Sequence, residues 1–183
     1  IMSSDGLTVA ELHILYTPGD GIGSEIVSQG RRVIEAIGKR FGHCFSAEEA
    51  LIGAGAIEAF GTEITDEVIT QAHNADAILL GACGIAGGEP ISGHHPERAV
   101  LPLRQELNLW ANLRPLKIID HLIQASPVKS EVLQGVDMLV LRELTGGIYF
   151  GQPRGPYTVN GQPAARDTMV YSCLLYTSPS PRD

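Results

Sequence analysis

The feature that most constrains this chain lies near its start, where an apolar run feeds through a glycine turn into a long amphipathic stretch. Leu12-His13-Ile14-Leu15-Tyr16 reads as a buried strand and Pro18-Gly19-Asp20-Gly21 as a tight turn. Residues 22–41 read as a helix, because Ile22, Ile26, Val33, Ile34 and Ile37 recur at helical spacing, although Gly30 interrupts them. A strand that leaves through a turn into a helix does not return by a hairpin. The helix carries the chain back, and the next strand runs parallel to the first.

The remaining pattern continues that alternation. Residues 45–52 read as a second strand and residues 54–60 and 66–73 as short helices, with Thr65 the expected N-cap of the latter. Asp76-Ala77-Ile78-Leu79-Leu80-Gly81 reads as a fully buried strand of a parallel sheet. The Gly-, Pro- and His-rich residues 84–96 read as a loop, 97–107 as a helix, and 110–119 and 136–142 as strands. Residues 151–171, with Tyr157-Thr158-Val159 inside, read as an extended arm or hairpin. The expected class is α/β, a largely parallel sheet flanked by helices. The expected organisation is an incomplete first α/β domain over residues 1–150, the start of an arm or second domain over 151–172, and a foreign tail over 173–183.

Charge narrows the partners. The net charge of −8 comes with no basic block, which argues against nucleic-acid binding. No run approaches the roughly 20 apolar residues of a membrane span, and no basic stretch leads an apolar one as in a secretory signal. Cys44, Cys83 and Cys173 give neither a disulfide framework nor metal-ligand spacing, so a reducing cytoplasm is the expected setting. His94-His95 lie near Glu89 and Glu97, but adjacent histidines point apart, and a solvated loop is the better reading than a metal site.

Chemistry concentrates downstream. Arg142-Glu143-Leu144-Thr145-Gly146-Gly147-Ile148-Tyr149-Phe150-Gly151 sets an arginine and a tyrosine either side of a Thr-Gly-Gly turn. Arg104 stands upstream, as does Arg114 within Ala111-Asn112-Leu113-Arg114-Pro115. Three planar cations suit carboxylates or phosphates, and a phenol beside them can donate a proton. The plain alternative is solvated surface arginines and a core tyrosine. Asn112 reads as a turn or backbone-bonding residue, and Lys117 and Lys129 as surface charges. Gly19-Asp20-Gly21-Ile22-Gly23 fails the dinucleotide fingerprint, because the third glycine position holds Ile26. By itself it is a strand-to-helix turn.

Together, Pro18-Gly19-Asp20-Gly21-Ile22-Gly23, Leu103-Arg104, Ala111 to Pro115 and Arg142 to Gly155 resemble the 3-isopropylmalate dehydrogenase branch of the β-decarboxylating dehydrogenases. The resemblance runs from about residue 12 to 172, and Gly146-Gly147 replaces the acidic pattern usual in isocitrate-type enzymes. It implies an oxidoreductase of leucine biosynthesis using NAD and Mg2+ or Mn2+, cytoplasmic and homodimeric, acting on a small dicarboxylate. It implies that Arg104, Arg114 and Arg142 bind substrate carboxylates and that Tyr149 is a general acid. It further implies that Glu97, Val100 and Leu101 touch the substrate side chain and that Gly21 and Ile22 border the nicotinamide. The 87–95 loop departs from the family pattern, which bears on fine specificity, and Ser24 replaces a usual proline.

Cys173 to Asp183 resemble the translation of a transposase-based sequencing adapter. The resemblance places the lysine base and the metal-binding aspartates after Ser172, so the polypeptide as written is expected to be inactive. Two other readings stay open: another malate-type dehydrogenase acting on tartrate or homoisocitrate, and a non-catalytic carboxylate-binding protein.

Overall fold

The computed structural model describes residues 10–147 and 149–171. The adapter-like tail therefore lies outside the described residues. The chain forms two compact units, Ile1–Leu107 and Asn108–Asp183.

In the first unit, β1 (Glu11–Gly19) lies between β2 (Cys44–Glu49) and β3 (Ala77–Ala82), and both neighbours run parallel to it. Helix α1 (Gly23–Phe41) joins β1 to β2 and packs on one face of the sheet. Alternation along β1 divides the core. Ile14 and Tyr16 pack with Val27, Ile34, Phe45 and Leu79 under α1. Leu15 points the other way, into a cluster with Ile52, Val68, Ala72, Ala99 and Leu103, supplied in part by α3 (Asp66–Asn74) and α4 (Val100–Glu106). Leu15 and Ile52 are each essentially fully buried, and each contributes about 1.5–3 kcal/mol of transfer free energy.

The helix ends follow their local chemistry. Gly42 closes α1 at φ 75°, donating its N–H to the Gly38 carbonyl at 2.8 Å, with Lys39 and Arg40 in the last turn. Thr65 caps α3 as expected, its hydroxyl accepting from the Val68 N–H at 3.4 Å. Gly30 sits where a Cβ would meet Leu79 Cδ2 at 2.8 Å, so a larger residue there would require the Leu79 side chain to shift. Helix α2 (Ala54–Phe60) follows Gly53.

Several boundaries differ from expectation. Strand β1 continues through Pro18-Gly19, because Thr17 and Gly19 pair with Leu80 and Ala82 of β3. Strand β2 stops at Glu49 rather than residue 52, where the chain leaves the sheet toward Gly53. The strand read as fully buried, β3, is an edge strand with half-buried side chains, because β1 takes the central place. The helix expected over 97–107 begins as a 3-10 turn, Pro96–Ala99, before α4.

The second unit is antiparallel, unlike the sheet of the first. Strand β4 (Ala111–Lys117) pairs with β5 (Asp137–Glu143), and the link between them carries a 3-10 turn, Asp120–Ala125, and the single-turn α5 (Ser130–Leu133). The segment read as an extended arm or hairpin contains a hairpin, β6 (Gly155–Val159) and β7 (Gln162–Arg166). Asn160 and Gly161 turn it with φ of 49° and 76°, the positive pair that a tight hairpin requires.

Candidate active site

The first unit gathers its loops around one carboxylate. Asp20 is 7% exposed. Its Oδ1 accepts from the Ala54 N–H at 2.7 Å and its Oδ2 from the Gly84 N–H at 2.8 Å, while its own N–H donates to the Ala82 carbonyl. One side chain thus ties together the loops that follow β1, β2 and β3. This role is not legible in the sequence, because the partners of Asp20 are 34 and 64 positions away. Burial, with the Asp20 charge beside it, pushes the Cys83 thiol up to about 11.

The same turn carries Gly21 and Ile22. Gly21 has φ 53° with open space around it, and Ile22 is 63% exposed at the start of α1. A Cβ on Gly23 or on Gly81 would overlap the Pro18 carbonyl. Those glycines serve a close backbone crossing, which is why the turn resembles a dinucleotide fingerprint without its spacing.

Glu97, Val100 and Arg104 follow one another at three- and four-residue spacing through the 3-10 turn into α4. Arg104 and Val100 are half-buried and Glu97 is exposed, held at 3.2 Å by His95 Nδ1. Leu101 lines an open groove of about 640 Å3 with Thr62, Glu63, Ile69 and Arg98. His94 Nδ1 lies 3.1 Å from Glu63 Oε1, so the two adjacent histidines serve different carboxylates. Burial raises the Glu63 pKa, but hydrogen bonds from its own backbone N–H and from His94, with the His94 charge, outweigh it and lower the pKa overall. Among the described residues no three His, Cys, Asp or Glu side chains gather in a way that could hold a metal ion.

In the second unit the β4–β5 register decides the arrangement. Asn112 sits directly opposite Arg142, and Arg114 opposite Val140. Opposed residues, and residues two apart on a strand, share a face. Asn112, Arg114 and Arg142 therefore stand on one face, flanked by Leu116, Met138 and Val140, with no carboxylate among them. Arg142 Nη2 donates to the Tyr149 hydroxyl at 2.5 Å. The phenol oxygen is the acceptor, which leaves the phenol proton available to a ligand. Arg154 Nη1 donates to the Tyr149 carbonyl at 3.0 Å, and Gly147 and Val170 exchange backbone hydrogen bonds, so the turn bearing Tyr149 is held from two sides.

One sequence reading changes here. Arg114 lies within β4 and Arg142 within β5, inside the strand ranges read from the sequence. Asn112 is the second residue of β4, and its side chain accepts from Arg114 Nε at 2.6 Å, so it is not a turn or backbone-bonding residue. The signal was available: strand alternation alone puts residues 112 and 114 on the same face. Lys117 is an exposed charge as read, 3.8 Å from Asp137.

Residues 13–174 match the family described as isocitrate/isopropylmalate dehydrogenase. The chain belongs to the isocitrate/isopropylmalate dehydrogenase family. It is 46% identical over 159 residues to the 3-isopropylmalate dehydrogenase of Geobacillus kaustophilus (strain HTA426), covering 86% of this chain and 43% of that protein. With the 3-isopropylmalate dehydrogenase of Aquifex aeolicus (strain VF5) it shares 47% over 160 residues, 87% of this chain and 44% of that one. Among solved structures it is similar to isocitrate dehydrogenase from Methylococcus capsulatus, with a TM-score of 0.62 and 28% identity over 88% of this chain and 43% of that one. A β-decarboxylating dehydrogenase from Thermococcus kodakarensis aligns with a TM-score of 0.58 and 26% identity, covering 87% and 41%. The chain thus spans less than half the length of these family members. The matched segment holds Gly21, Ile22, Glu97, Val100, Leu101, Arg104, Arg114, Arg142 and Tyr149.

Proposed function

We propose that this chain carries the substrate grip of an NAD-dependent oxidative decarboxylase that converts (2R,3S)-3-isopropylmalate to 4-methyl-2-oxopentanoate for leucine biosynthesis. The β4–β5 face carries the reading: Arg114 and Arg142 share it, Arg142 donates to the Tyr149 hydroxyl, and none of the strand residues on that face is a carboxylate. Arg114 and Arg142 hold substrate carboxylate, which is positioning and electrostatic work, and the resemblance gives Arg104 of α4 a carboxylate-binding role as well. Val100 and Leu101 give the isopropyl group an apolar wall and Glu97 borders it. Such contacts discriminate by about 1–3 kcal/mol per methylene.

Gly21 and Ile22 present an open glycine and an exposed apolar side chain, a surface suited to the flat nicotinamide of NAD. NAD, when bound, supplies the acceptor for the C2 hydride. Once the C3–carboxylate bond has broken and CO2 has left, its electron pair resides in an enolate. Tyr149 gives its proton to C3 of that enolate, forming the ketone, with Arg142 stabilising the phenolate that results. Mg2+ or Mn2+ would supply electrophilic assistance to the decarboxylation when bound, but the described residues do not by themselves compose its site. The whole enzyme is read as a cytoplasmic homodimer acting on a small dicarboxylate, without nucleic acid or membrane partners.

The test is NADH formation with isopropylmalate and Mn2+. The 183-residue chain is expected to show no turnover. A chimera joining residues 10–171 to the C-terminal half of the Geobacillus kaustophilus relative is expected to turn over. In it, Y149F should lower kcat by about two to four orders of magnitude, the usual worth of a positioned acid. A folded chimera that prefers tartrate or homoisocitrate, or that is indifferent to Y149F, would sink the reading.

A further inference from the structure

Arg114 stands on an exposed two-stranded sheet, where a long side chain would sample many rotamers. One contact fixes it: the Asn112 side-chain oxygen accepts from Arg114 Nε at 2.6 Å. An arginine can grip a carboxylate side-on, through Nε and one terminal nitrogen, or end-on, through both terminal nitrogens. Asn112 occupies the Nε–H and so leaves the end-on fork. It also stands opposite Arg142 in the register, between the two cations.

We infer that Asn112 is a positioning residue that aims the end-on fork of Arg114 at a substrate carboxylate. The choice of side chain supports this. An aspartate would offer the same acceptor geometry but would place a negative charge between two arginines whose task is to attract a dianion. A neutral amide orients the fork and leaves both cationic charges intact. Its own two amide N–H donors add further positive potential to the face. The inference deepens the reading of the chain as a dicarboxylate grip and rests on it.

Two measurements separate the inference from that reading. In the 183-residue chain, the Nε–H resonance of Arg114, assigned by R114K, should exchange slowly with water. It should lose that protection in N112A, while the Arg142 resonance keeps its position. This arm needs no substrate. In the chimera described above, N112A should raise KM for isopropylmalate on the order of tenfold, the worth of one hydrogen bond to a charged group. The value of kcat should stay within about twofold, because a carboxylate contact held equally in ground and transition states acts on KM. N112D should raise KM further than N112A, although it keeps the acceptor. In an R114A background, N112A should add nothing, because Asn112 acts through that arginine. Unchanged Arg114 exchange in N112A, KM effects that multiply independently, or N112D kinetics equal to wild type would each overturn the inference. A chimera without NADH formation would overturn the proposed activity, and the exchange measurement would still decide the contact.

Discussion

Replacing Asp20 by alanine isolates the contact that holds the strand ends of the first unit together. The substitution removes two charge-assisted hydrogen bonds, to the Ala54 and Gly84 N–H groups at 2.7 and 2.8 Å, and leaves both donors in a partly buried setting. Bonds to an ionised group are worth about 1.5–3 kcal/mol each, so the ceiling is about 6 kcal/mol. Water can reach partly buried donors, which brings the expected cost to about 3 kcal/mol. D20N should cost less, about 2 kcal/mol, because one carbonyl oxygen remains while the amide NH2 faces an N–H donor. Urea unfolding followed by far-ultraviolet circular dichroism gives the global number. Hydrogen exchange at the Ala54 and Gly84 amides gives the local one, and both should accelerate beyond the global change. Cys83 supplies an independent probe. Burial first, and the Asp20 charge second, raise its pKa from 9.0 to about 11. In D20N the thiol should ionise at lower pH than in the wild type, yet still above 9.0, because burial persists. A D20A cost below about 1 kcal/mol, or a Cys83 titration unmoved by D20N, would refute the reasoning.

Gly81→Ala should be more damaging than its size suggests, because the new methyl would overlap the Pro18 carbonyl where β3 passes the turn. A backbone neighbour cannot rotate away, so a loss above about 2 kcal/mol is expected in the same urea assay. Glu63, depressed below 4.5 mainly against its own burial by its backbone N–H and His94, contributes stability that is present above pH 4.5 and lost as pH falls through its folded value. E63Q should flatten the acid side of a Tm-against-pH curve, and an unchanged slope would remove Glu63 from the account.

Much of the fold was legible in local pattern. Ile14 to Tyr16 alternates into two cores as a central strand should, Thr65 caps the helix it precedes, and the segment read as an extended arm or hairpin holds a hairpin. The errors came where a strand's neighbours matter. Ala77 to Ala82 has the apolar run of a buried strand but lies at an edge, and the second pair of strands is antiparallel although the first sheet is parallel. Nothing in a short apolar run states which strand will lie beside it.

The candidate site divides along the same line. The sequence alone determined the inventory: three arginines, a tyrosine beyond a double-glycine turn, and a glycine turn opening a helix. These follow from residue chemistry and short spacings, which act within a few residues of chain. Tertiary structure alone decided that Asn112 faces Arg142, and that Asp20 reaches Ala54 and Gly84 across 34 and 64 positions. Register and loop closure are set by which distant segments bury their apolar faces together. A one-residue slip of β4 against β5 would turn Asn112 and Arg114 to the face opposite Arg142.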